Sequence, residues 1–267
     1  MEEIKVGIYL MQKNEDVLLP LFVDYYGSLF GYQSIHILDN GSNETLRPQL
    51  SDAENKGCKV IYDFYKPEDF ECKGKIIGKM ITENINKFNV SLPLDCDEFI
   101  VLESSVDRHI LKELFHKYFS SLEDGAYLVR KRYLNNPYKK DNYYQPKKAK
   151  KYFFKNCPAN IDNVGFHSIR KSSLIGKEKE SSLAYFEYHN RSFRELIEKS
   201  KEKMKLRINL KNIPREYSGS GHHLHKHLLM RDENDYIESI NKYEHFKFEE
   251  LSLFFKEIGH EIPFNLS

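Results

Sequence analysis

LPLDCDEFIVL, residues 92–102, sets two aspartates, Asp95 and Asp97, between two apolar runs. Short apolar runs around a polar triplet read as a buried strand that ends in a rigid acidic corner. On an extended segment residues i and i+2 point to the same side, so both carboxylates would face one site. Two like charges held together call for a cation between or above them. A hard divalent ion with oxygen ligands meets that need, and its open positions can grip a diphosphate. The blander reading is two carboxylates that cap a following helix or pair with lysines. An Asp-x-Asp triplet is weak evidence alone, and its surroundings decide.

Upstream, two periods alternate. Residues 4–11 form a β-rich apolar run. Asn14-Glu15-Asp16 then opens a helix with Val17, Leu18, Leu21, Phe22, Tyr25 and Leu29 at helical spacing. Residues 34–38 make a second strand, ended by the turn Asp39-Asn40-Gly41-Ser42, and a polar helix runs to about Lys56. Residues 58–64 give a third strand. Ile77, Met80, Ile81, Asn84, Ile85 and Phe88 mark another amphipathic helix, and residues 90–94 lead into the acidic triplet. This β-α-β-α-β-α-β series predicts an α/β fold with a mainly parallel, Rossmann-like sheet flanked by helices. Such sheets bind ligands at the carboxyl ends of their strands. Gln12-Lys13-Asn14-Glu15, Asp39-Asn40 and Asp95-Cys96-Asp97 all fall there.

Downstream, Val106, Ile110, Leu111, Leu114, Phe115 and Tyr118 predict a helix and residues 125–134 a strand. Weaker strand candidates cover 152–155, 165–170 and 183–188. From Arg191 the pattern turns helical, with further helices at about 233–243 and 248–258. The expected organisation is one α/β domain over 1–205 and a helical C-terminal extension over 206–267, packed on it.

Composition narrows the function classes. The 267 residues carry 41 basic and 40 acidic side chains, a net charge of +1, without the basic excess that phosphate contacts demand of a nucleic-acid binder. The four cysteines, Cys58, Cys72, Cys96 and Cys157, form no CxxC pair and read as free thiols. The first residues, MEEIKVGIYLM, lack the basic start and cleavage site of a signal peptide, and no run reaches the apolar length of a membrane span. The expectation is a cytoplasmic protein.

Several other residues carry two readings each. Asn14 and Glu15 suit a helix start, where a cap and a negative charge are favourable, or a nucleoside pocket. Asn40-Gly41 suits a turn with Ser42 as helix cap, while Asp39 suits an acceptor for a base or ribose. Lys75 and Lys79, at i and i+4, read as a solvated helix face or as partners of a diphosphate. Residues 138–155, YKKDNYYQPKKAKKYFFK, form a basic aromatic stretch, read as a solvated or acceptor-side loop or as an anionic-surface patch. The histidines at 222, 223, 225 and 227 lack the cysteines or carboxylates of a zinc site.

KNED at 13–16, LDNGSNET at 38–45 and DCDEF at 95–99 occur in the order and spacing of the family 2-like glycosyltransferases. The chain resembles most their bacterial branch with an Asp-x-Asp-Glu-Phe metal motif. Gly165-Phe166-His167 and Tyr188-His189-Asn190-Arg191-Ser192, followed by a helix with Lys199, resemble softer elements of that branch. The resemblance covers most of residues 4–200. It implies a GT-A fold, a nucleotide-diphosphate sugar, commonly UDP-linked, and Mn²⁺ or Mg²⁺. It further implies Asp97 as principal metal ligand, Asp95 on ribose or metal, and Asp39 on the base. The branch places His where this chain has Glu187, and the histidine stands two residues later, at His189. In a strand, 187 and 189 share a face, so either reaches the site.

The sequence-based candidates are therefore Asp95, Asp97 and His189 for the metal. Gln12, Lys13, Asn14, Glu15, Asp39, Lys75, Lys79, Asp95 and Cys96 are the candidates for the nucleotide sugar. Glu187, His167 and Glu98 are the candidates for the base that activates an acceptor hydroxyl. The expected activity is metal-dependent transfer of a hexose-type sugar, with inversion, to a glycan or glycolipid in surface-polysaccharide assembly. It would take place at the inner face of the membrane or in peripheral contact with it. Two rivals stand beside it. A sugar-nucleotide nucleotidyltransferase would carry a Gly-rich basic loop after the first strand, where this chain has Gln12-Lys13-Asn14-Glu15. A non-catalytic nucleic-acid module built on 138–155 would bind with steep salt dependence.

Overall fold

The computed structural model describes residues 4–103, 108–139, 143–170, 178–205, 207–219 and 221–266. In chain order its elements are β1 (Val6–Gln12), α1 (Leu18–Phe30), β2 (Ile35–Asp39), α2 (Arg47–Lys56), β3 (Lys59–Ile61), α3 (Pro67–Glu71), α4 (Lys73–Glu83), β4 (Val90–Pro93) and β5 (Glu98–Glu103). There follow β6 (Arg108–His109), α5 (Lys112–Ser121), β7 (Gly125–Asn135), β8 (Tyr143–Lys155), β9 (Lys179–Glu180) and β10 (Leu183–Glu187). The last are α6 (Phe193–Met204), α7 (His222–Leu228), α8 (Glu233–Asn241), β11 (Phe246–Lys247) and α9 (Glu249–Glu257).

Two compact units emerge. The first comprises Met1–Tyr133, Lys147–Glu187 and Glu250–Pro263, the second Leu134–Pro146, Tyr188–Glu249 and Phe264–Ser267. The first holds the sheet, in the order β3-β2-β1-β4-β8-β7-β10-β5-β6, with β9 beside β7. β3, β2, β1 and β4 are mutually parallel, and β8 turns antiparallel on β4. The order 3-2-1-4 is that of a doubly wound Rossmann-like sheet, whose ligand crevice opens where the strand order reverses, beside β1. The α/β class expected from the alternating periods is therefore the one observed.

Every residue of β1 is buried, as a strand covered on both faces must be. On one face Tyr9 and Met11 pack with Ile77 and Ile81 of α4 and with Tyr152, Phe154 and Phe166. On the other, α1 brings Phe22, Tyr25 and Tyr26 against Phe99, and Phe255 of α9 closes on the same ring. The two tyrosine hydroxyls donate to the β5 backbone, Tyr25 to the Ile100 carbonyl at 2.6 Å and Tyr26 to that of Glu98 at 2.8 Å. Helix and strand are thereby locked at Glu98, where the acidic corner ends and β5 begins.

In the second unit Leu196, Tyr236 and Ile240 form a small core with Phe193, Tyr138 and Met230. Ser192 caps α6 in a reciprocal box with Glu195. β11 pairs with Tyr143 and Tyr144.

Several sequence-based expectations change. The strand over 165–170 is absent; among the described residues there is only an isolated bridge between Ile161 and Ile169, because Phe166 takes a positive φ of 59°. α5 starts at Lys112, after the short β6; Val106 lies outside the described residues. α4 runs from Lys73 to Glu83, so Asn84, Ile85 and Phe88 lie beyond its end. Much of 138–155 is no loop: from Tyr143 it is a strand of the sheet, its lysines alternating between solvent and interior; residues 140–142 lie outside the described residues. No helix among the described residues is long and apolar enough to cross a membrane.

Candidate active site

The carboxyl ends of β1 and β2 are joined by side chains. Asp39 is almost fully buried, and its Oδ1 accepts from Gln12 Nε2 at 2.8 Å and from Ser42 Oγ at 2.5 Å. Its Oδ2 accepts from the Ser42 N–H at 3.2 Å. A carboxylate oxygen can accept two hydrogen bonds, so Oδ2 keeps one lone pair for a further donor. Asn14 adopts a positive φ of 54° and accepts from the Asn43 N–H at 2.8 Å, tying the two loops together. This corrects two capping expectations. α1 is preceded by Val17 with no side-chain cap, and Asn14 serves the loop instead. Ser42 serves Asp39 and Gln12, while the short helical turn after it has Asn43 at its start. The Glu15 N–H donates to Gln12 Oε1 at 3.3 Å, and Lys13 is exposed.

Beyond β4 the chain turns. The Leu94 N–H still donates to the Tyr9 carbonyl on β1, but Asp95 to Glu98 form a tight turn closed by the Glu98 N–H on the Asp95 carbonyl at 3.1 Å. The extended i, i+2 geometry expected for the two aspartates is thus not the one adopted. A strand cannot continue here because the chain must reverse from β4 into β5. The Glu98 carboxylate accepts the Asp95 N–H at 2.9 Å and locks the turn. Asp95 and Asp97 part as a result. Asp95 is held by Lys151 at 2.7 Å and by Lys73, and Lys151 also contacts Glu98.

Three members of this cluster are buried, with side-chain exposure of 6% for Lys151, 3% for Lys73 and 1% for Glu98, while Asp95 is 30% exposed. Such groups survive burial only by mutual pairing. Phe166 roofs both cations, its ring 4.8 Å from Lys73 Nζ and 5.8 Å from Lys151 Nζ. Burial alone would raise the Asp95 pKa, but Lys151 and Lys73 outweigh it and hold that carboxyl well below its usual range. Glu98 goes the other way: burial raises it, and Asp95, Glu187 and Asp97 add to the rise against the pull of Lys151.

Asp97 faces a different partner. A carboxylate oxygen of Asp97 lies within 4.8 Å of one of Glu187, a pair able to contribute to a metal site. Glu187 ends β10 directly opposite Glu98 in the antiparallel register with β5, and Arg132 Nη1 reaches it at 3.1 Å. His189 follows two residues on in the chain. Its neighbours are fixed: the Tyr188 hydroxyl meets that of Tyr144 at 2.6 Å, and the Asn190 N–H and side chain bond Asn135. Two neighbouring carboxylates suit a hard divalent ion.

His167 lies on the segment after Phe166. Its Nδ1 is 2.7 Å from the Lys150 carbonyl, which can only accept, so Nδ1 carries the proton and Nε2 is the basic nitrogen of the neutral ring.

Lys75 and Lys79, read as a solvated helix face or as partners of a diphosphate, are not the lysines of α4 that meet Asp95; Lys73 is. Lys75 and Lys79 line a surface hollow of 480 Å³ with Thr82, Asp162 and Arg170, and Lys79 pairs with Glu83 at 3.7 Å. Lys73 reaches Asp95 because 73, 77 and 81 share the apolar stripe of the helix. That spacing was readable, as was the period of two that sets Lys151 on the face of Phe153. Arg132 left no such signal. Cys96 is a buried cysteine at the tip of the turn and forms no disulfide.

No family model and no curated protein matches this chain. Among solved structures it is similar to S. aureus TarS, at 12% identity over 77% of this chain and 41% of that one, with a TM-score of 0.41. It is also similar to a cytidylyltransferase from Leptospira borgpetersenii serovar Hardjo-bovis (strain JB197), at 10% identity over 57% and 61%, TM-score 0.31. A third is the mannose-1-phosphate geranyltransferase from Thermus thermophilus, at 10% identity over 57% and 50%, TM-score 0.31. The chain thus spans about half the length of these proteins. At such low TM-scores they carry no argument, and the fold rests on the strand order described above.

Proposed function

We propose that this protein is a metal-dependent glycosyltransferase that moves a sugar from a nucleotide-diphosphate donor, UDP-linked by the resemblance of its motifs, to a glycan or glycolipid acceptor. One observation carries the reading. Two neighbouring carboxylates, Asp97 and Glu187, stand past the end of β4, and β4 pairs with β1, whose carboxyl end shares with that of β2 the Asp39 network that offers a nucleoside acceptor in a 3-2-1-4 sheet.

In this reading Asp97 and Glu187 would hold Mn²⁺ or Mg²⁺, with His189 as a further ligand by the resemblance of its motif, and an imidazole ligand would favour Mn²⁺. The bound ion would supply Lewis-acid stabilisation of the departing diphosphate. Asp39 Oδ2 accepts a ring or ribose donor of the nucleoside. Asp95, saturated by Lys73 and Lys151, acts on the site by fixing the turn that aims Asp97. Glu98 has the same supporting part. With Glu187 at the metal, His167 is the base: its Nε2 takes the proton of the acceptor hydroxyl as that oxygen attacks the anomeric carbon with inversion.

The test is calorimetric titration of UDP, GDP and CMP, each with Mn²⁺ and with EDTA, on wild type and Asp97→Ala. Metal-dependent binding of one nucleotide that is lost in Asp97→Ala is the expected result. If no nucleotide binds under any metal condition, the reading fails.

A further inference from the structure

Among the described residues Tyr65 is one of the most exposed large apolar side chains, at 62%, yet the backbone around it is clamped. The Asn40 carboxamide Nδ2 donates to the carbonyls on either side of it, to Phe64 O at 2.6 Å and Lys66 O at 3.0 Å. The Tyr65 carbonyl packs on Gly41, where a Cβ would stand 2.9 Å from it and where φ is +71°. A side chain at 41 would push the two loops apart. Asn40 itself is buried, and its N–H donates to the Gln12 carbonyl at 2.8 Å. One asparagine therefore ties the loop after β3 to the carboxyl ends of both β1 and β2, one residue from the open lone pair of Asp39.

Mounting an aromatic ring in water on a clamped backbone gains nothing for folding. Tyr65 buries little surface, and the clamp uses a buried amide to hold a residue outward. The arrangement does suit a planar ligand. A ring carried on a fixed backbone loses less entropy on stacking, and Asp39, adjacent in sequence to the clamping Asn40, offers a carboxylate oxygen for a ring N–H. We propose, on the nucleotide-donor reading above, that Tyr65 is the stacking platform for the nucleobase, and that Asn40 and Gly41 exist in their present form to aim it. The ligand class is a nucleobase with a ring N–H, as in uracil or guanine, which pairs with the Asp39 acceptor.

The chain contains no tryptophan, so Tyr65→Trp introduces a single indole as reporter. UDP with Mn²⁺ is titrated into Tyr65→Trp while emission is followed, alongside calorimetry of wild type, Tyr65→Phe and Tyr65→Ala. Ribose 5-phosphate serves as the ligand without a base, and Mn²⁺ alone as the control for an intact metal group. The expected results are saturable change of the indole emission by UDP and none by ribose 5-phosphate. UDP affinity should fall about ten-fold in Tyr65→Ala, hold in Tyr65→Phe, and Mn²⁺ affinity should hold in both. UDP that binds wild type and Tyr65→Ala equally overturns the platform and leaves the donor reading standing. Wild type that binds no nucleotide overturns both.

Discussion

His36 offers the sharpest test of the packing described above. It sits on β2, 1% exposed, its ring stacked on Tyr9 at 4.8 Å and edge-on to Phe88 at 5.5 Å. Burial pushes its pKa down from 6.5 to about 4, aided by the nearby Lys87 and Lys59 and opposed by the bond to the Ser34 carbonyl. In the unfolded chain the imidazole takes a proton near pH 6.5; in the folded protein it resists until about pH 4. Between those values the unfolded state binds more protons, so stability falls as pH falls. The contribution is complete above pH 6.5 and is lost through about pH 4. At roughly 1.4 kcal/mol per pH unit the full loss is about 3 kcal/mol, of which about 2 kcal/mol is gone by pH 5. His36→Phe keeps the stack and removes the proton site. Urea unfolding of both proteins at pH 8, 7, 6 and 5 isolates the effect, because the other histidines cancel in the difference. Whatever offset the larger ring introduces at pH 8, the stability of His36→Phe relative to wild type should rise by about 2 kcal/mol by pH 5. Parallel curves would refute a buried, neutral His36.

Other outcomes follow from the same structure. Lys151→Met strands Glu98 and half of the Asp95 pairing in the interior, and urea unfolding should show a loss of about 3 kcal/mol, partly recovered by adding Glu98→Gln. Gly78→Ala would set a Cβ 2.4 Å from the Ala159 carbonyl, a backbone atom that cannot swing away. Its unfolding midpoint should drop by an amount equivalent to about 1–3 kcal/mol, whereas Lys79→Ala on the exposed face should stay within about 0.5 kcal/mol. Electron paramagnetic resonance of Mn²⁺ should report binding to wild type and at least ten-fold weaker binding to His189→Ala, with unfolding curves unchanged. His167→Asn should lower kcat in a glycosyl-transfer assay while leaving UDP affinity intact; equal loss of both would remove His167 from the role of base.

What the sequence determined by itself was periodic. Alternation of strand and helix patterns over residues 4–94 placed β1, β2, α4 and β4 nearly where they lie, because burial on a parallel sheet leaves runs of Val, Ile and Leu that local reading can see. It also placed Gln12, Asp39 and Asp97 at strand ends, since turn residues mark where strands stop. The extended pairing of Asp95 with Asp97 and the loop at 138–155 could not survive folding. Whether two residues share a face past a strand's end depends on how the next strand returns, and β5 returns at once. Likewise a run of lysines reads as solvated until a distant carboxylate supplies the reason to bury one. Lys151 goes inside because the carboxyl groups of Asp95 and Glu98, more than fifty residues away, are there to meet it. Arg132 reaches Glu187 through strand neighbours fixed only by the sheet order. Periodicity marked the faces on which Lys73 and Lys151 lie, but ion pairs between distant segments leave no local signal, so which carboxylates those lysines meet belonged to the tertiary structure alone.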